Sequence, residues 1–142
     1  MPDSNLERYI DFFEKLEPDD LGNLARVMTE DIHFADPFND VHGIESLRKV
    51  FQHMYQNLHN PRFTITHSAM ATDSNQVGLI CWEMASIWRG KAYNVVGMSE
   101  VAFAPDGRVS SHIDHWDAGG QFYERLPLIG RILKAIRARI SV

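Results

Sequence analysis

Helical spacing followed by a long run of alternation predicts an α+β domain, with helices packed on one face of a curved antiparallel sheet that closes into a cone. Two observations carry this. Apolar residues recur about every 3.6 positions as far as Leu58, and from Arg62 onward the period falls to two. The joints of the second half, Asp73-Ser74-Asn75, Arg89-Gly90 and Pro105-Asp106-Gly107, carry turn chemistry at hairpin spacing.

The elements follow in order. Leu6, Tyr9, Ile10, Phe13 and Leu16 predict a first helix behind a cap at Ser4 or Asn5. Pro18-Asp19-Asp20 breaks it and opens a second, with Leu21, Leu24, Ala25 and Met28 on one face and Thr29-Glu30-Asp31 closing it. A short strand runs to Asp36, where Pro37 stops it. The third helix starts at about Ile44, buries Leu47, Val50, Phe51, Met54 and Leu58, and ends at Pro61. Four strands then run from Arg62 to Ala71, Gln76 to Trp88, Ala92 to Phe103 and Arg108 to Trp116. With 142 residues and no linker or repeat, the chain reads as one domain over 1–118 with a helical extension over 119–142.

Charge and composition exclude several functions. The extension carries Arg125, Arg131, Lys134, Arg137 and Arg139 against Glu124, a balance of +4, so residues 1–118 hold −9 of the net −5. An acidic body argues against a nucleic-acid partner. No apolar run approaches the roughly 18 residues that a membrane span requires, and Met1-Pro2-Asp3-Ser4 has no export pattern. A single cysteine, Cys81, forms no internal disulfide and fits a reducing compartment, so the expected location is the cytoplasm. Its apolar strand setting predicts a buried, inert thiol.

In the extension, Ile129, Ile132, Leu133, Ile136 and Ile140 form an apolar stripe on a basic helix. The favoured expectation is that it packs on the domain or across a homodimer. Peripheral membrane contact through residues 129–140 is the alternative.

Chemistry concentrates in two places. In Ala35-Asp36-Pro37-Phe38 a carboxylate ends a strand among aromatics, where burial raises its pKa and fits it for general-base work. The plainer reading is that Asp36 caps the turn. The last strand places His112, Asp114 and Trp116 on one face, with His112 and Asp114 roughly 6.5 to 7 Å apart at Cα. His115 points the other way, so a metal site there needs a third ligand such as His33 or Asp36, and none is expected. No phosphate-binding glycine loop or serine elbow is present, and no cofactor is expected.

These features together resemble the ketosteroid isomerase-like superfamily, also called nuclear-transport-factor-2-like or SnoaL-like, over about residues 5 to 118. The resemblance rests on the N-terminal helices, Ala35-Asp36-Pro37-Phe38 before His42-Gly43, the four-strand meander, Phe103-Ala104-Pro105-Asp106-Gly107-Arg108-Val109 and Trp116. It implies a cone with an apolar pocket in its mouth and pairing through the sheets as a homodimer. Asp36 matches the isomerases' catalytic base. Their oxyanion hole joins a tyrosine to a protonated aspartic acid, and those positions hold Phe12 and Ser99, although Tyr9 lies one turn earlier. Asp114 matches a catalytic aspartate of the related epoxide hydrolases, whose arginine and second aspartate have no counterpart in Cys81-Trp82-Glu83-Met84-Ala85-Ser86.

The implied pocket takes Phe12, Phe38, Trp82, Met84, Ser99 and Trp116 as ligand-binding walls, with Asp36, His112 and Asp114 as catalytic groups. Two functions follow. One is a cofactor-free isomerase, dehydratase or hydrolase acting on a small, mainly apolar molecule. The other is a non-catalytic module that binds a ligand or a protein.

Overall fold

The structure, a computed structural model, describes residues 4–142; Met1 to Asp3, on which the reading about export rests, lie outside the described residues. Helix α1 spans Asn5–Glu14 and is closed by a capping box, in which Ser4 Oγ accepts from Glu7 N and the Glu7 carboxylate accepts from Ser4 N. A 3₁₀ segment, Pro18–Arg26, follows. Strand β1 spans Met28–Ala35, β2 Asp40–His42 and helix α2 Ile44–Asn57. Strands β3 (His59–Met70), β4 (Val77–Trp88), β5 (Lys91–Phe103) and β6 (Val109–His115) form the meander. A short helix α3 (Ala118–Gln121), a 3₁₀ turn (Tyr123–Arg125) and helix α4 (Ile129–Ile140) end the chain.

The α+β class and the cone stand. The six strands form one sheet in the order β2-β1-β6-β5-β4-β3. The expectation of a wholly antiparallel sheet fails at one junction, because β1 runs parallel to β6 with Phe34 opposite His112 and Ala35 opposite Ile113. That register positions the functional region. It sets Asp36, just beyond Ala35, beside Asp114, just beyond Ile113.

Two boundaries differ from the sequence reading. Met28 and Thr29 belong to β1 rather than to a helix, because Met28 is fully buried opposite Val109 of β6 and the Val109 amide bonds Val27 O. Tertiary burial outweighs the local helical spacing. Pro61 does not end α2 but lies within β3, the outermost strand, where its missing N–H breaks no ladder bond. The pairing of β3 with β4 shifts between His59 and Arg62, and Asn60 there adopts φ 52°, so the proline sits in a bulge.

The core lies between the helices and the concave sheet face. Leu6 and Tyr9 of α1, Leu24, and Leu47 and Phe51 of α2 meet Ile80, Trp82, Val95, Val101 and Val109 from the strands. On the convex face Leu79, Ile87, Val96 and Met98 are exposed. Cys81 lies among them, opposite Met98, and is half-buried rather than buried as expected, because its side of the strand faces outward.

Beyond the end of β6, the edge of β5 is met by a side chain: Gln121 Nε2 donates to Val96 O and Gln121 Oε1 accepts from Val96 N. Arg125 extends the contact by donating to Asn94 O. Helix α4 is seated by Gly130, where a Cβ would collide with the Glu124 backbone, and by an ion pair between Arg137 and Glu124. Its isoleucines remain exposed, so the expectation that the stripe packs on this chain's own domain is overturned. Among the described residues no helix is long and apolar enough to cross a membrane.

Candidate functional site

A chain of short polar contacts crosses the core. Tyr9, 1% exposed, places its hydroxyl 2.6 Å from His112 Nδ1. His112 Nε2 lies 2.7 Å from Asp114 Oδ1, the same oxygen that accepts from Ser99 Oγ at 2.5 Å. Trp82 Nε1 donates to Ser99 Oγ at 2.8 Å. Each link has a structural cause. His112 and Asp114 are two apart on β6, and Ser99 pairs with Asp114 across the β5–β6 ladder. Tyr9 reaches down from α1.

The proton positions follow from the donors. Burial, and then the charge of Asp114, push the Tyr9 phenol well above its ordinary pKa, so Tyr9 keeps its proton. The Asp114 carboxylate can only accept, so His112 Nε2 donates to it, and the bare Nδ1 of the neutral imidazole accepts from the Tyr9 hydroxyl. Both bonds to Asp114 end on Oδ1, and Oδ2 takes neither.

Asp114 stands at a boundary. On its inner side is a cavity of about 40 Å³ walled by Phe13, Phe34, Phe51, Phe63 and Trp82, with Tyr9, Ser99 and His112 as its polar groups. That is room for roughly two or three waters, so a larger molecule enters only if the rings move. On its outer side is an open cleft shared with Asp36, His115 and Trp116.

Of the two readings of Asp36, the turn cap is the one seen. Its Oδ1 accepts from Phe38 N and Asn39 N, each at 2.7 Å, and Asn39 Nδ2 reaches both oxygens at 3.1 and 3.2 Å, so it caps the turn. Burial pushes its pKa up; the bonds from Phe38 and Asn39 oppose this, and the charge of Asp114 adds to it. The folded chain thus holds this proton more tightly than the unfolded chain. Stability from this group is full below the ordinary value of 3.8 and is lost as pH rises through the higher folded value. Asp36→Asn keeps the cap's acceptor and removes the charge. In urea melts it should equal or exceed the parent at neutral pH and lose that advantage well below pH 3.8; a variant less stable at neutral pH contradicts this.

The remaining candidates divide. Trp82 and Ser99 line the cavity. Met84 is buried on the same face but lies outside it. Phe12 is a correction: it turns into an outer groove with Asp20 and Asn23, and Tyr9 takes the inward place on α1. Phe38, half-exposed, packs on Trp116 at 5.5 Å and Phe122 at 5.1 Å between ring centroids. Phe122 also meets Trp88 and Tyr123, so the C-terminal segment roofs the mouth with aromatic rings. Sequence reasoning missed this roof because residues 119–142 read only as a basic helical extension. Its signal was Phe122-Tyr123, ahead of the helix.

His33 does not join His112 and Asp114. Its Nε2 donates to Asp40 Oδ1 at 2.7 Å and its ring stacks on His42 at 4.4 Å between centroids, on the outside of the β1–β2 hairpin. The ligand atoms of these three lie within 4.8 Å of one another.

The sequence profile of the SnoaL-like domain matches residues 6–112. No curated protein matches the chain. Solved structures of similar fold include an NTF2-like protein of unknown function from Exiguobacterium sp. 255-15, 14% identical, covering 80% of this chain and 98% of that one with a TM-score of 0.68. A protein with a ketosteroid isomerase-like fold from Catenulispora acidiphila, in complex with trimethylamine, is 14% identical over 85% and 91% of the two chains, TM-score 0.68. An LEH-like epoxide hydrolase from M. tuberculosis is 13% identical over 94% and 89%, TM-score 0.65. At these identities the likeness is one of fold.

Proposed function

The chain belongs to the SnoaL-like domain family, and on that premise we propose that it binds a small, mainly apolar molecule and moves a proton on it without a cofactor. The reaction is an isomerisation, dehydration or hydrolysis. The observation that carries this reading is Asp114, whose Oδ1 is held by His112 and Ser99 while Oδ2 is left for a substrate between cavity and cleft.

In this reading Asp114 is the general base, in place of Asp36, whose oxygens are already engaged by the turn. Asp36, its pKa raised by burial beside Asp114, is the second carboxyl that receives or returns the proton. His112 and Tyr9 fix the orientation of Asp114 and polarise it through their hydrogen bonds.

The test is deuterium uptake from heavy water by a panel of apolar ketones and enones, read by mass spectrometry, with epoxides assayed for hydrolysis. At least one compound should turn over, and Asp114→Asn should slow it by about 10²- to 10⁴-fold. Binding without turnover, unchanged in Asp114→Asn, would instead support the binding module. The capped state of Asp36 favours that second reading.

The exposed Leu79, Ile87, Val96 and Met98 support pairing of two copies through the convex sheet face. The free Cys81 supports a cytoplasmic setting.

A further inference from the structure

We propose that helix α4 docks the protein on an anionic lipid surface, with the isoleucine stripe set among the acyl chains and the cations at the headgroups. The inference does not depend on the proton-transfer reading. Ile129, Ile132, Ile136 and Ile140 are each more than half exposed, as are the neighbouring Leu128 and Val142. At 100° per residue these four and Leu133 fall within one arc of about 100°. Arg137 flanks the arc on one side and Arg139 on the other, with Arg131 and Lys134 behind.

Charge selects the occupant. Helix α4 contains no acidic residue, and among the described residues Arg131, Lys134 and Arg139 have no ion-pair partner, while Arg137 is held by Glu124. Pairing α4 with α4 of a second copy would bring the unpaired Arg139 flanks together, with no carboxylate from either helix to offset them. An anionic bilayer offers apolar depth and negative charge together. The acidic body is repelled by such a surface, so attraction is confined to α4 and fixes the orientation of docking.

The seating of α4 gives the contact a consequence. Gly130 lies against the backbone of Glu124, in the turn that carries Tyr123. Tyr123 packs on Phe38 at 6.1 Å in the aromatic roof. A lipid surface that holds α4 therefore lies one turn of chain from the mouth, and the mouth's exposed Phe38 and Tyr123 are placed to meet molecules dissolved in the bilayer.

The full chain should float with vesicles of equal parts phosphatidylcholine and phosphatidylglycerol, and bind phosphatidylcholine alone at least tenfold more weakly. Paired reversal, Arg131→Glu with Lys134→Glu, should weaken binding by on the order of 25-fold or more, since each surface cation is worth roughly fivefold. Ile132→Asn with Ile136→Asn should abolish flotation. All four positions are exposed, so circular dichroism should report an intact fold. Absence of flotation with anionic vesicles overturns the proposal, as does equal binding by the isoleucine variant. A fall in solution mass on Ile132→Asn with Ile136→Asn, read by light scattering, also overturns it, because the stripe would then be buried against another copy. The same measurement on the parent chain reads the sheet-mediated dimer.

Discussion

Asp114→Ala is expected to lower the unfolding free energy by about 2 to 4 kcal/mol, a large loss for a residue that is not hydrophobic. The reason is what it leaves behind. Asp114 Oδ1 is the common acceptor for His112 Nε2–H and Ser99 Oγ–H, and the side chains of His112 and Ser99 are buried. Removing it strands two buried donors, each costing about 1 to 3 kcal/mol, with the lower values applying where a water refills the site. Asp114→Asn keeps an acceptor oxygen at that position and should cost less than half as much. Urea unfolding at neutral pH measures both. A loss below about 0.5 kcal/mol for the alanine variant would mean that the network does not hold the fold together.

Gly97→Ala should cost about 1 to 3 kcal/mol through overpacking. Gly97 is directly opposite Trp82 across the β4–β5 ladder, and the indole lies over it. A Cβ at that point would fall 2.5 and 2.6 Å from two ring carbons and 3.0 Å from Trp116 Cβ. The strand is held on its β4 side by the ladder, so the ring has to tilt. Tilting lengthens the bond from Trp82 Nε1 to Ser99 and disturbs Asp114 from a distance. The variant should change near-UV dichroism and tryptophan emission while retaining its far-UV spectrum. Unchanged aromatic signals together with parental stability would refute it.

The parts of this molecule that were legible in its sequence are those set by local periodicity. Alternation in β4 buried Trp82, Met84 and Ser86 together, and α2 began at Ile44 as its spacing required. What escaped was set by distant contacts. The helical spacing of Leu21, Leu24, Ala25 and Met28 is genuine, but Met28 gains more by entering β1 under the helices than by extending a short turn. Likewise Phe12 and Tyr9 are both aromatic and one turn apart, and only the angle at which α1 crosses the sheet decides which faces inward. The cap at Asp36 was legible in Asp36-Pro37. Its neighbour Asp114 was found, but not the division of labour between its two oxygens, which depends on Ser99 arriving from the next strand.

The contact between Tyr9 and His112 joins residues 103 apart in the chain. A nascent or partly folded molecule holds Tyr9 from early synthesis but has no partner for it until β6 is made and inserted beside β1. Closing so long a loop is the slow, entropically costly part of reaching this topology. The groups proposed to carry chemistry therefore come together only as folding is completed, and the chain cannot be half-folded and chemically competent at once.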